Sequence, residues 1–132
     1  DMSKTLRCRV ITPEKILHDV EATYVSWPTW DGQRGSISGT SPLVAKLGIG
    51  VLVIKTVDSG TLKMLIHGGV GEMGIAGLSI ITDEAEPVDK IDPEQARKLL
   101  ENAKNDVAVG VVDREMKEKE YNLALARVAA IK

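Results

Sequence analysis

Eleven of the twelve glycines in this 132-residue chain fall before residue 78. That one-sided distribution constrains the fold more than any other feature, because glycine interrupts helices and marks turns, bulges and places where backbones approach closely. The first part of the chain must therefore be short apolar runs joined by tight connections, and the last part is charged, helical in pattern and almost glycine-free. The two meet at Asp83 to Ala96, DEAEPVDKIDPEQA. Pro87 and Pro93 punctuate this stretch. In Ile91-Asp92-Pro93-Glu94-Gln95, Asp92 is placed to cap a helix, Pro93 to take its first position and Gln95 to reach back to the cap. This reads as a hinge between two modules.

Leu6, Cys8 and Val10 alternate with Arg7, Arg9 and Ile11, the period-2 pattern of a half-buried strand that ends at Thr12-Pro13. Lys15 to Val20 and Glu21 to Trp27 read as two more strands. Residues 28–42 are heavily turned around Ser36-Ile37-Ser38. Leu43 to Leu47, Val51 to Thr56, Thr61 to His67 and Leu78 to Thr82 follow as short strands, with Asp58-Ser59-Gly60 a hairpin signal. Gly68-Gly69-Val70-Gly71 predicts a bulge or a close backbone approach. Roughly eight to ten strands, with connections too short for crossover helices, argue for an antiparallel β-sandwich or barrel.

Beyond the hinge, Ala96, Leu99, Leu100 and Ala103 make one apolar helix stripe, and Tyr121, Ala124, Leu125, Val128 and Ile131 make another. Asp106 to Val112 separates them, with Asp113 as the expected cap of the second helix. The fold class expected is an all-β N-terminal antiparallel β-sandwich, residues 1–86, followed by a C-terminal α-helical hairpin, residues 87–132, with the hinge at 83–92.

Composition narrows the function. Seventeen basic residues against nineteen acidic ones, with no basic face, argue against nucleic acid. No run approaches the roughly 20 apolar residues of a transmembrane segment, and no signal peptide is visible. Met2 reads as a natural start, with Asp1 a remnant ahead of it. A lone cysteine, Cys8, on the apolar side of its strand suggests a core residue in a reducing compartment. His18 and His67 have no acid or cysteine at metal spacing, so no metal site is expected. Glu84 and Glu86 sit at a strand exit, where solvated carboxylates are common. No catalytic triad or phosphate loop can be assembled, so the chain reads as a non-catalytic binding or regulatory module.

The order of segments resembles the epsilon subunit of the F-type ATP synthase, in its bacterial and chloroplast forms, over essentially the whole chain. The resemblance rests on Val10-Ile11-Thr12-Pro13-Glu14-Lys15-Ile16, on Asp31-Gly32-Gln33-Arg34-Gly35 with Gly39 and Pro42-Leu43, on Gly48-Ile49-Gly50-Val51-Leu52, on Gly68-Gly69 and on Asp83-Glu84-Ala85-Glu86. Ile91-Asp92-Pro93-Glu94-Gln95-Ala96 and Glu120-Tyr121-Asn122-Leu123-Ala124-Leu125-Ala126 continue it. The resemblance implies a sandwich and hairpin, and a non-catalytic part of the central stalk. Its partners would be the gamma subunit, the c-subunit ring and the catalytic alpha and beta subunits. Its place would be the cytoplasmic side of a bacterial inner membrane, as a peripheral subunit.

By position, Gly32, Gln33 and Arg34 match the loop that faces the c ring. Thr40-Ser41-Pro42 stands where His-Ala-Pro is common, and Ser38 replaces a frequent proline. Trp30, beside this turn, is either a partner anchor or a packed lid. The resemblance also implies a hairpin that can block ATP hydrolysis, with Arg114, Lys117, Lys119 and Arg127 as candidates to face acidic catalytic-subunit surfaces; solvated helix charge is the plainer account. Some members bind ATP through an Ile/Leu-Asp-x-x-Arg-Ala motif. Glu84, Ile91, Asp92, Gln95, Ala96 and Arg127 are the corresponding nucleotide candidates, but Gln95 stands in the arginine position and Arg97 comes one residue late. A guanidinium is a fixed fork that an amide lacks, and capping accounts for Asp92 and Gln95 without a nucleotide. ATP is thus a candidate regulatory ligand, and no cofactor is otherwise expected. The competing class is a stand-alone β-sandwich ligand-binding adaptor, which co-purification with gamma would separate from the first.

Overall fold

The computed structural model describes residues 4–132; Asp1 and Met2, with the start assigned to Met2, lie outside the described residues. The chain divides into two compact units, one ending at Pro87 and one running Val88–Lys132.

Among its described residues the first unit holds seven strands: β1 (Leu6–Ile11), β2 (Ile16–Thr29), β3 (Gly32–Ser36), β4 (Leu43–Thr56), β5 (Thr61–Gly74), β6 (Gly77–Ile81) and β7 (Ala85–Pro87). They are fewer and longer than the spacing predicts. β4 runs unbroken through Gly48-Ile49-Gly50, and β5 through Gly68-Gly69. The expected break at Val20-Glu21 is absent, since β2 continues from Ile16 to Thr29. The register of β2 against β4 shifts between Ala22 and Tyr24, so the core positions change phase there: Ala22 is buried, and then Val25 and Trp27. A one-residue bulge bends a strand without ending it, which a period-2 reading takes for two strands.

The pairings run β1-β6-β5-β4-β2-β3, and a further β1–β2 pairing closes the sheet on itself. The closed sheet forms a sandwich around a core that includes Leu6, Cys8, Val10, Trp27, Leu52, Ile54, Ile66 and Ile80. All pairs are antiparallel except β1 with β6, which run parallel, Cys8 opposite Leu78 and Ile11 opposite Ile81. That departure follows from the closure: the ring β1-β6-β5-β4-β2 has five strands, and an odd ring cannot alternate in direction throughout, so one neighbouring pair must run parallel.

Two glycines of β5 make room for close neighbours. Gly71 lies beneath the Trp27 ring, and a Cβ there would stand 2.2 Å from Trp27 Cζ3. Gly69 has φ +122°, and a Cβ on it would lie 2.0 Å from the Ile81 carbonyl oxygen. The close approach predicted for this segment is present at both positions. Burial pushes the Cys8 thiol up to about 12, so it stays neutral within the core.

In the second unit a short 3₁₀ turn, Val88–Lys90, precedes α1 (Pro93–Lys104) and α2 (Gly110–Ala130). Asp92 is the N-cap of α1, its Oδ1 accepting the N–H groups of Glu94 at 3.0 Å and Gln95 at 3.4 Å, with Pro93 in the first turn. α2 begins earlier than its sequence suggests. Asp113 is not the cap residue: it lies inside the first turn, and its Oδ2 reaches back to accept the Val109 N–H at 2.7 Å. A carboxylate in the first turn can supply an acceptor that the cap side chain, here valine, lacks. The helices form an antiparallel hairpin in which the α1-facing side of α2 carries Glu120, Leu123, Ala124 and Arg127. Ala124 is buried, Tyr121, Val128 and Ile131 are half-buried, and Leu125 is exposed.

Candidate functional site

The β2–β3 turn is built to hold its backbone still and present a side chain. The Trp30 N–H donates to the Lys46 carbonyl at 2.9 Å, while its ring is 70% exposed. Thr29 Oγ1 lies 2.6 Å from both Asp31 Oδ1 and the Gly32 carbonyl. Its hydroxyl bond is the main reason the Asp31 carboxyl sits below the usual range. Gly32 supplies the φ of +137° that the turn requires. Gln33 is exposed, yet its amide braces the hairpin, Nε2 donating to Ser26 Oγ at 2.8 Å and to the Val51 carbonyl at 3.3 Å. Arg34 is exposed opposite Trp27. Trp30 is therefore an exposed aromatic on a fixed stem, whereas Trp27 is fully buried.

Thr40, Ser41 and Pro42 lie on the connection after β3. The hydroxyl of Thr40 donates to the Ile37 carbonyl at 2.7 Å and accepts the Ile37 N–H at 2.9 Å, closing a tight loop. This loop borders a shallow hollow shared with Arg7, Glu21 and Ile75. Arg7 is itself pinned, Nε to Asp19 Oδ1 at 2.7 Å and Nη1 to Glu21 Oε1 at 2.9 Å, which raises its pKa and lowers that of Asp19; the Glu21 carboxyl is lowered first by the Thr5 hydroxyl that donates to it and then by Arg7. The candidate partner residues thus divide between the turn before β3 and the loop after it.

The nucleotide candidates in the helical unit are likewise distributed. Asp92 and Gln95 share a shallow depression on α1 with Lys98 and Asn102. Arg127 lines a separate cleft of about 250 Å³ between the helices, beside Asn102 and Glu120. Ala96 is buried and Ile91 half-buried. Asp92 Oδ1 is already engaged as the cap, and Glu84 precedes β7 in the first unit. Among the hairpin cations, Arg114 and Lys119 are exposed. Lys117 is not: its Nζ donates to the Val107 carbonyl at 2.7 Å and Asp106 Oδ1 at 3.2 Å, and lies 3.3 Å from Asp113 Oδ2. These contacts raise its pKa, and the hydrogen bond to Asp106 contributes most.

One cluster has no local signal in the sequence. His67 on β5 contacts Glu86 on β7 through Nε2 and Oε2, and Glu84 stands beside them. The His67 and Glu86 side chains are 13% and 22% exposed. Some seventeen to nineteen residues separate His67 from the two acids, and only the pairing of β5 with β7 joins them.

The family model for the ATP synthase Delta/Epsilon chain beta-sandwich domain matches residues 5–88. The ATP synthase epsilon chain of Rhodopirellula baltica is 37% identical over 99 residues, 75% of this chain and 77% of that one. This chain belongs to the ATP synthase epsilon chain family. The chloroplastic epsilon chain of Nymphaea alba is 32% identical over 126 residues, 96% of this chain and 92% of that one, so family similarity extends through the hairpin. Among solved structures, the fold matches a chain in the Euglena gracilis mitochondrial ATP synthase structure of OSCP, F1 and c-ring. The TM-score is 0.88 at 21% identity, covering 100% of this chain and 84% of that chain. A chain from the Tetrahymena thermophila mitochondrial ATP synthase central stalk and c-ring matches with a TM-score of 0.67 at 13% identity, covering 96% of each. No helix among the described residues is long and apolar enough to cross a membrane.

Proposed function

We propose that this chain is a non-catalytic central-stalk subunit of a rotary ATP synthase, coupling rotation of the membrane ring to ATP synthesis. Family membership carries this reading, and two chains of matching fold come from ATP synthase assemblies that include the c-ring. The sandwich binds the gamma subunit and the c ring. The β2–β3 turn is the contact to the ring, with the exposed Trp30 on its fixed stem as the anchor and Gly32, Gln33 and Arg34 as the polar surround. Exposed aromatics on rigid backbone make good anchors because little conformational entropy is lost on docking. The subunit sits peripherally on the cytoplasmic side of a bacterial inner membrane.

The hairpin restrains ATP hydrolysis by reaching the alpha and beta subunits through its exposed Arg114 and Lys119. Lys117 holds the helix connection together instead. Co-purification of the full chain with gamma tests the stalk assignment. Removal of residues 91–132 tests the hairpin: the sandwich keeps its own core, which contains no residue beyond Ala85, and hydrolysis by the assembled enzyme is expected to rise. Unchanged hydrolysis would reduce the hairpin to a brace. Trp30 emission that stays constant on addition of gamma and of c ring, with complex formation shown separately, would remove Trp30 from the contact.

A further inference from the structure

We propose that His67, Glu86 and Glu84 form a binding site for a divalent first-row transition cation, with Zn²⁺ the ion whose chemistry fits best. One imidazole nitrogen and two carboxylates each offer a ligand atom, and these atoms all lie within 4.8 Å of one another. Zn²⁺ bonds of about 2.0–2.2 Å set tetrahedral donors roughly 3.4 Å apart. Reaching that spacing is a matter of side-chain rotation: Glu84, the exposed member, closes toward the ion, and the Glu86 carboxylate draws back from its hydrogen bond with His67 Nε2 to admit it.

The backbone already fixes the other two. Leu65 pairs with Glu86 and Ile66 with Ala85, and the His67 N–H donates to the Glu84 carbonyl at 3.3 Å. Ala85 packs against the core, so strand alternation sends Glu84 and Glu86 to the opposite face, where His67 stands. A histidine–glutamate pair alone would not call for Glu84; a cation uses it as the third donor and leaves the fourth position to water. The mixed nitrogen and oxygen set favours Zn²⁺ over Mg²⁺, which takes an octahedral shell of oxygens. The consequence is structural. β7 pairs with β5 over only three residues and is the last strand of the sandwich, and the bridging ion ties it down.

The test uses the full chain stripped with EDTA. Zn²⁺ is expected to bind at one ion per chain and raise the unfolding midpoint, because an ion that binds only the folded state stabilises it by mass action. Mg²⁺ at the same concentration should leave the midpoint unchanged, and Co²⁺ should give the visible d–d absorption of a low-coordinate nitrogen and oxygen site. Glu84→Gln, an exposed change, should fold as the parent and weaken Zn²⁺ binding at least tenfold; His67→Gln should abolish it. If His67→Gln lowers the unfolding midpoint in EDTA, Glu84→Gln decides the question. No Zn²⁺-dependent shift, or binding that survives both substitutions at full strength, would overturn the site. Neither readout depends on the stalk assignment.

Discussion

The Trp27 ring lies on Gly71 so closely that any β-carbon at that position would sit 2.2 Å from the indole. The largest side chain in the core therefore depends on the absence of one on the neighbouring strand. Gly71→Ala should cost about 1–3 kcal/mol, as overpacking of a filled core does. Gly74→Ala, on the same strand with nothing within 4 Å of its would-be Cβ, should change stability by less than about 0.5 kcal/mol. Urea unfolding of the two variants checks the contrast, and equal effects would show that the indole can move aside.

The same ring donates its Nε1–H to Ser36 Oγ at 3.0 Å inside the core. Ser36→Ala leaves that N–H buried with no acceptor, an expected loss of about 1–3 kcal/mol. Trp27→Phe in the Ser36→Ala background should add less than it does alone, because the orphaned donor is gone. A double-mutant cycle measures the coupling, and strict additivity would assign Ser36 no part in holding the indole.

Cys8 is fully buried, and its thiol is pushed up to about 12 by desolvation. The folded pKa is raised, so the thiol's contribution to stability is complete below the ordinary value of 9.0 and is lost as pH climbs from there toward 12. Alkylation of the native chain at neutral pH should be slow and become fast in denaturant. Rapid native labelling would contradict the burial.

Much of this architecture is legible in the residues. The alternation of Leu6, Cys8 and Val10 places β1 correctly, and Asp92-Pro93 places the start of α1, because both are local signals. The bulge near Thr23 and the strand that passes through Gly48-Ile49-Gly50 are read as breaks, since a phase change or a glycine in a strand looks like a turn without the pairing partner, whereas Gly68-Gly69 is read as a close backbone approach inside a strand, which it is. Trp30 and Gln33 are found from their turn, but Gln33's bracing bonds to Ser26 and Val51 depend on register. The cluster of His67 with Glu84 and Glu86 leaves no trace in spacing at all, because it exists only where β7 returns to β5.

Asp92 Oδ1 already accepts two backbone N–H groups, and Gln95 offers an amide where a phosphate would be gripped by a guanidinium. Asp92→Ala should therefore destabilise the first turn of α1 by about 1 kcal/mol, seen as lost helicity, with no accompanying loss of ATP affinity. Equilibrium dialysis should find no sub-millimolar ATP binding to the parent chain. Such binding, abolished by Asp92→Ala while the helix persists, would make the depression beside Gln95 and Lys98 a nucleotide site after all.

The start of α2 depends on a carboxylate acting from within its own helix. Asp113 accepts the Val109 N–H and lies beside Lys117, and the backbone bond is the main cause that holds its carboxyl below the ordinary value of 3.8. Because the folded pKa is depressed, the bond's contribution is present above pH 3.8 and is lost as the pH falls through the lower, folded value. The first turn of α2 should accordingly fray in acid while the rest of the helix persists, with the Val109 amide proton shifting and its exchange quickening in that window. Asp113→Asn keeps an acceptor oxygen and removes the charge, so its Val109 amide should be weakly bonded and insensitive to acid throughout. A Val109 amide that does not respond to acid in the parent chain would assign the helix start to Gly110 and the connection geometry alone.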